Sequence, residues 1–147
     1  MNYLFINDNK VQLMVLKRAL GQFGQGHEIR VLDDPMIAID LIRSRVFLPD
    51  VIVVDFNMPE MDGLDFIKEV KYKLYNDWFS HIPIVVLTTV ECVETAMECY
   101  RSGAAGYMVK PNDYKVLTHM LKVLIQYWEA NLTPLLPVLT VVKPIKN

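Results

Sequence analysis

The sequence has little of what would mark an exported, membrane-spanning or nucleic-acid-binding protein. Only two cysteines occur in 147 residues. Cys92 and Cys99 stand seven apart in one helical pattern, too far along a helix to bridge each other, and read as free thiols of a reducing compartment. There is no block of lysine or arginine, and the net charge is −2, so the charge pattern points to neither nucleic acid nor an anionic membrane. No apolar run approaches the roughly 18 residues a spanning helix needs. The stretch Met1 to Asp8 turns polar too early for a signal peptide. No internal repeat is present. Gly21, Gly24 and Gly26 follow a helical pattern rather than a strand, so they form no dinucleotide fingerprint. Asn131-Leu132-Thr133 matches a glycosylation acceptor by chance. These absences leave a cytoplasmic protein as the expectation.

What is present is apolar and periodic. Hydrophobic residues make up 52% of the chain, slightly rich for a soluble monomer, which leaves room for an apolar surface used in association. The length suits one domain, expected over residues 1–130. Residues 131–147, apolar and interrupted by proline, read as a tail that takes part in an interface. The central stretch is Val51-Ile52-Val53-Val54-Asp55, a short apolar run ending in a carboxylate and followed by Pro59 and Asp62-Gly63. Such a run reads as a parallel strand buried on both faces. Tyr3–Ile6, Glu28–Leu32, Pro83–Leu87 and Tyr107–Val109 read as four more. Helical spacing is expected over Lys10–Phe23, from Pro35 to about Arg45, from Asp62 through Val70, over Glu91–Ser102, and from Asn112 or Asp113 to about Glu129. Trp78 and Phe79, in the loop before the fourth strand, are expected to cover the lower edge of the core. Five strands alternating with five helices predict an α/β fold with a doubly wound parallel sheet.

Such sheets do their chemistry beyond the carboxyl ends of the strands. Strands one, three, four and five end at Asn7-Asp8, Asp55, Thr88 and Lys110. Asp8 and Asp55 would repel each other by on the order of 3 kcal/mol at ~5 Å with an effective dielectric near 20. A divalent cation relieves that repulsion, and two carboxylates, a backbone carbonyl and waters suit Mg²⁺. Lys110 adds a fixed positive charge and Thr88 a hydroxyl. Together these parts can hold a phosphoryl group during in-line transfer to a carboxylate. The structural alternatives are ordinary. Asp8 or Asn9 could cap the first helix, Thr88 with Glu91 fits a capping box, and Lys110 could be a solvated charge.

Ile6-Asn7-Asp8-Asn9, Val54-Asp55-Phe56-Asn57-Met58-Pro59-Glu60-Met61-Asp62-Gly63, Val86-Leu87-Thr88-Thr89 and Gly106-Tyr107-Met108-Val109-Lys110-Pro111 together resemble the receiver domains of bacterial two-component response regulators. The resemblance spans about residues 2 to 129. It implies a flavodoxin-like sheet of five strands in the order 2-1-3-4-5. It also implies that Asp55 is the phosphoacceptor for a sensor histidine kinase, and that the domain is no turnover enzyme. By position, Asp8, Asp55 and the backbone carbonyl of Asn57 resemble Mg²⁺ ligands, and Thr88 and Lys110 the pair that contacts the phosphoryl group. Tyr107 stands at the aromatic switch, with the small Thr89 leaving it room. Lys110-Pro111 resembles the family's cis peptide bond.

Two departures carry expectations of their own. The family usually has two acidic residues at the end of the first strand, and Asn7 occupies the first place. Mg²⁺ binding should be retained but weakened, with Asn7 acting through a water. Val90 is apolar where the family often has a polar side chain able to orient water, so loss of phosphate should be slow. The fifth helix carries Val116, Leu117, Met120, Leu121, Val123, Leu124, Tyr127 and Trp128, broader than one apolar stripe. Its end and the tail are similar to stand-alone regulators that partner phytochrome-type kinases and dimerise through helix four, strand five and helix five. Only about 18 residues follow that helix, so the output is expected to be a protein contact. Two other readings compete: a phosphatase of the haloacid dehalogenase type, which needs a second aspartate where Asn57 stands, and a degenerate receiver used as a constitutive binding module.

Overall fold

The computed structural model describes residues 1–73 and 78–133. The strands are β1 (Asn2–Ile6), β2 (Glu28–Leu32), β3 (Val51–Val54), β4 (Ile84–Thr88) and β5 (Gly106–Val109). They form one parallel sheet in the order β2-β1-β3-β4-β5, as expected. The helices are α1 (Lys10–Leu20), α2 (Pro35–Arg43), α3 (Gly63–Lys68), α4 (Val93–Arg101) and α5 (Tyr114–Glu129). Among the described residues no helix is long and apolar enough to cross a membrane.

The strand residues alternate between two cores, which is why the strands read as continuous apolar runs. Leu4, Ile6, Ile52, Val54, Ile84 and Val86 face one side and meet Ala38, Ile39 and Ile42 of α2, Phe66 and Ile67 of α3, and Cys99 of α4. Tyr3, Phe5, Val51, Val53, Val85 and Leu87 face the other and meet Leu16 and Leu20 of α1 and Leu117, Leu121 and Leu124 of α5. Burying each such aliphatic side chain contributes roughly 1.5–3 kcal/mol. Phe79 is buried in the first core, as expected. The side chain of Trp78 and residues 134–147 of the expected tail lie outside the described part. Thr133 is described: its hydroxyl donates to Asp50 Oδ1 at 2.7 Å, and Asp50 Oδ2 accepts from the N–H of Asn2 at 2.7 Å. These bonds tie the chain after α5 to the lower end of β1.

Helix ends differ from the periodicity where local chemistry intervenes. After α1 a 3₁₀ turn covers Gly21–Phe23, and after α3 a π-helical turn covers Glu69–Lys73. Thr88 and Glu91 form no capping box. The cap of α4 is Cys92, and the Thr88 hydroxyl instead accepts the N–H of Val90 at 3.3 Å. On α5 one face packs on the sheet while Val116, Val123 and Tyr127 are exposed.

Lys71, on the π turn, donates to the carbonyls of Ser80 and Ile82 at 2.8 and 2.7 Å. Burial pushes its ammonium down from 10.5 to about 8. The unfolded lysine therefore keeps its proton over a range where the folded one has lost it. Stability should rise as pH climbs from about 8 towards 10.5. Urea unfolding across that range is expected to show this rise, and a Lys71→Met variant to flatten it.

Candidate functional site

Four strand ends meet at the carboxyl rim, and ladder bonds that outlast the strands position them. The N–H of Asp55 donates to the Ile6 carbonyl at 2.9 Å, that of Asn7 to Leu32 at 3.0 Å, and that of Lys110 to Thr88 at 2.6 Å. Each residue is thus held as one more rung of the sheet. The α1 cap is Asn9, whose Oδ1 accepts from the N–H groups of Val11 and Gln12 at 3.1 Å. Asp8 takes no part in that cap and sits half-buried at the rim. Asn7, Asp55 and Thr88 are buried, with Thr88 wholly enclosed. Asn57 and Thr89 are exposed, two residues past Asp55 and one past Thr88.

Lys110 Nζ lies 3.8 Å from Asp55 Oδ1, and both side chains are only 7% exposed. Burial raises the Asp55 carboxyl above the usual carboxylate range. The Lys110 charge, the Thr88 hydroxyl and the Phe56 N–H oppose that rise, and Asp8 adds to it. Burial likewise lowers the Lys110 ammonium, against the pull of Asp55. In each group burial is the leading cause of the shift and the opposite charge of its partner works against it. The charged oxygen donors at this rim are hard, the carboxylates of Asp55 and Asp8, and Asp8 is felt at Asp55; that is the chemistry Mg²⁺ suits. Among the described residues no group of three or more His, Cys, Asp or Glu side chains could hold a metal ion, so a cation at Asp8 and Asp55 would depend on backbone carbonyl and water for its other ligands. An open cleft of about 330 Å³ adjoins the site, lined by Asp8, Asp34, Met58, Pro59 and Glu60 among others.

Tyr107 is half-buried against the first core, and its hydroxyl donates to the Val90 carbonyl at 2.6 Å. It therefore touches the loop that leaves Thr88. The Lys110–Pro111 bond is trans, against the cis expectation, as is every peptide bond among the described residues. The X–Pro preference is only about 0.5–1 kcal/mol, too small for a sequence motif to decide the isomer.

Gly63 closes the loop after Asp55. Its N–H donates to the Phe56 carbonyl at 2.8 Å. A Cβ here would stand 2.9 Å from Phe56 Cα and 3.0 Å from the Asp55 carbonyl oxygen, both backbone atoms that cannot swing aside. Gly63→Ala is expected to shift the Asp55–Phe56 backbone and lower stability by about 1–3 kcal/mol, readable in thermal melts.

One side chain at the rim escaped the motif reading. Gln12, on the first turn of α1, accepts through Oε1 from Asn7 Nδ2 at 2.9 Å and from Lys110 Nζ at 2.7 Å.

Residues 3–122 match the family model described as the response regulator receiver domain. The chain is 32% identical over 114 residues to the transcriptional regulatory protein ZraR of Klebsiella oxytoca, a match covering 78% of this chain and 24% of that protein. It thus spans about a quarter of that relative's length. Among solved structures it resembles the Mn²⁺-bound form of response regulator Rcp1, with a TM-score of 0.76 and 25% identity over 90% of this chain and 96% of that one. It also resembles the phosphorylated cyanobacterial phytochrome response regulator RcpA, with a TM-score of 0.78 and 25% identity over the same shares.

Proposed function

Because the chain belongs to the response regulator receiver domain family, a family of two-component signalling modules, we propose that Asp55 accepts a phosphoryl group from a sensor histidine kinase in the cytoplasm. The observation that carries this reading is the meeting of Asp55, Thr88 and Lys110 at one buried rim, with the ammonium 3.8 Å from the carboxylate. A carboxylate oxygen of Asp55 forms the new O–P bond. The P–N bond of the donor phosphohistidine breaks, and its electron pair returns to the imidazole. Lys110 donates to a phosphoryl oxygen as charge develops there, and the Thr88 hydroxyl donates to another. Asp8, Asp55 and the Asn57 carbonyl would hold Mg²⁺, with Asn7 acting through a water. When bound, Mg²⁺ neutralises charge on the phosphoryl oxygens. With Asn7 in place of a carboxylate, a Mg²⁺ titration followed by fluorescence should still saturate by tens of millimolar. A titration that stays linear through that range would contradict the metal assignment.

Phosphorylation brings a charge of about −2 to the loop after β4. Thr88 turns towards it, and the pull reaches Tyr107 through the Val90 carbonyl that its hydroxyl already contacts. Thr89, small and exposed, leaves the ring room to move. The α4–β5–α5 face, where Val123 and Tyr127 are exposed, then changes population. We assign this face to a homodimer and to protein contact, with no nucleic-acid or membrane partner. The likeness to RcpA favours a phytochrome-like kinase as the donor. Val90 leaves no polar side chain there to orient water, so the acyl phosphate should last minutes to hours. Val90→Gln is expected to shorten its lifetime, measured as release of inorganic phosphate.

Beryllofluoride, a mimic of the acyl phosphate, tests the reading. Added with Mg²⁺, it should shift the backbone NMR signals of Asp55, Thr88 and Lys110 and, further away, those of Tyr107 and α4. Shifts confined to the Asp55 loop would argue for a binding module without a switch.

A further inference from the structure

Gln12 places a neutral amide oxygen beside the buried ammonium of Lys110. The Lys110 ammonium is 2.7 Å from Gln12 Oε1 but 3.8 Å from Asp55 Oδ1, which is beyond hydrogen-bonding distance. The orientation of both amides is pinned at each end of the chain of contacts. Asn9 offers an N–H at 2.9 Å, which only an oxygen of Asn7 can accept. That turns Asn7 Nδ2 towards Gln12. At the far end the ammonium has only donors, so Gln12 must present its oxygen. Asn7 and Gln12 therefore agree only in this arrangement. An aspartate at position 7 would set an oxygen against Gln12 Oε1, and the glutamine amide would have to rotate and turn its own donors towards Lys110.

We propose that Gln12 is a positioning residue for phosphoryl transfer: its amide oxygen, oriented by Asn7, holds the Lys110 ammonium off the Asp55 carboxylate. Without that acceptor the ammonium closes on Asp55 to the ~2.8 Å of a charge-assisted hydrogen bond. A carboxylate so paired is a weaker nucleophile, and it yields an oxygen less readily. The lysine has three donors. It can keep Gln12 while offering another N–H to the arriving phosphoryl group. Asn7 is thus more than a lost metal charge, because it is one half of a matched pair with Gln12. This proposal rests on Asp55 being the phosphoacceptor.

The test is a double-mutant cycle in the full chain: wild type, Gln12→Met, Asn7→Asp and the double variant. Acetyl phosphate is the donor at saturating Mg²⁺, and acetate is the leaving group. Gln12 is half-exposed on the first turn of α1, and methionine matches its length and helix preference, so the fold should hold. Gln12→Met is expected to slow labelling five- to tenfold at unchanged half-saturation by acetyl phosphate. In the Asn7→Asp background, where the amide has already turned, the same change should cost under twofold. Equal slowing in both backgrounds, or no slowing in either, would overturn the proposal. A second readout needs neither metal nor phosphate. The Lys110 side-chain ammonium signal in metal-free protein should shift in Gln12→Met, and an unchanged signal would also overturn it. If wild type takes no label, the receiver reading fails, while the ammonium signal still decides the Gln12 contact.

Discussion

Lys110→Met is expected to slow phosphorylation of Asp55 by acetyl phosphate by about 10²–10³-fold, the usual cost of removing one donor to a developing oxyanion. The ammonium sits in a site where both partners are 7% exposed, so water cannot readily take over its role. Its loss acts a second time on the nucleophile. Burial already holds the Asp55 carboxyl above its ordinary range, and Lys110 is the leading influence pulling it back. In metal-free protein, removing Lys110 should therefore let the Asp55 carboxyl rise further. Slower labelling in Mg²⁺ together with an upward move of the Asp55 carboxyl titration, followed by NMR in chelator, is the expected result. Slower labelling with an unmoved metal-free titration would mean that Lys110 serves the phosphoryl group alone.

Asn7→Asp is expected to tighten Mg²⁺ by on the order of tenfold while destabilising the metal-free protein. The added carboxylate joins those of Asp8 and Asp55 at the same rim, and a like-charge pair costs on the order of 3 kcal/mol at a separation of ~5 Å and an effective dielectric near 20. A divalent cation gains more from the third charge than it loses, so the penalty falls on the metal-free state. Asn7 is 1% exposed, and solvent offers little screening there. The melting temperature should fall in chelator and recover in Mg²⁺, with a larger gap between the two than in wild type. An equal gap would mean that position 7 does not face the metal.

The strands were legible because the physics that buries them is local. Val51 to Val54 is apolar on both faces since the chain supplies a helical layer to each, and the same alternation runs through Tyr3 to Ile6. The rim residues were legible for a related reason: one charged or hydroxyl residue ends an otherwise apolar run, and the topology brings those ends together. Capping was less legible. Thr88 and Glu91 carry the spacing of a capping box, yet the β4 hydrogen bonds extend to Thr88 and delay α4 until Val93. The Lys110–Pro111 isomer turned on too small an energy to be read at all. Gln12 was invisible because its partners are set by tertiary structure. Lys110 lies 98 residues away, and an uncharged amide carries no motif. Lys71 hid in the same way, its two carbonyl partners lying across the turn before β4.

The most direct measurement is intact mass and peptide mapping after incubation with acetyl phosphate and Mg²⁺. A single phosphoryl group on Asp55 is expected, absent when Mg²⁺ is chelated and absent in Asp55→Asn. No label on the wild-type protein, or a label that survives Asp55→Asn, would contradict the assignment of Asp55 as the phosphoacceptor.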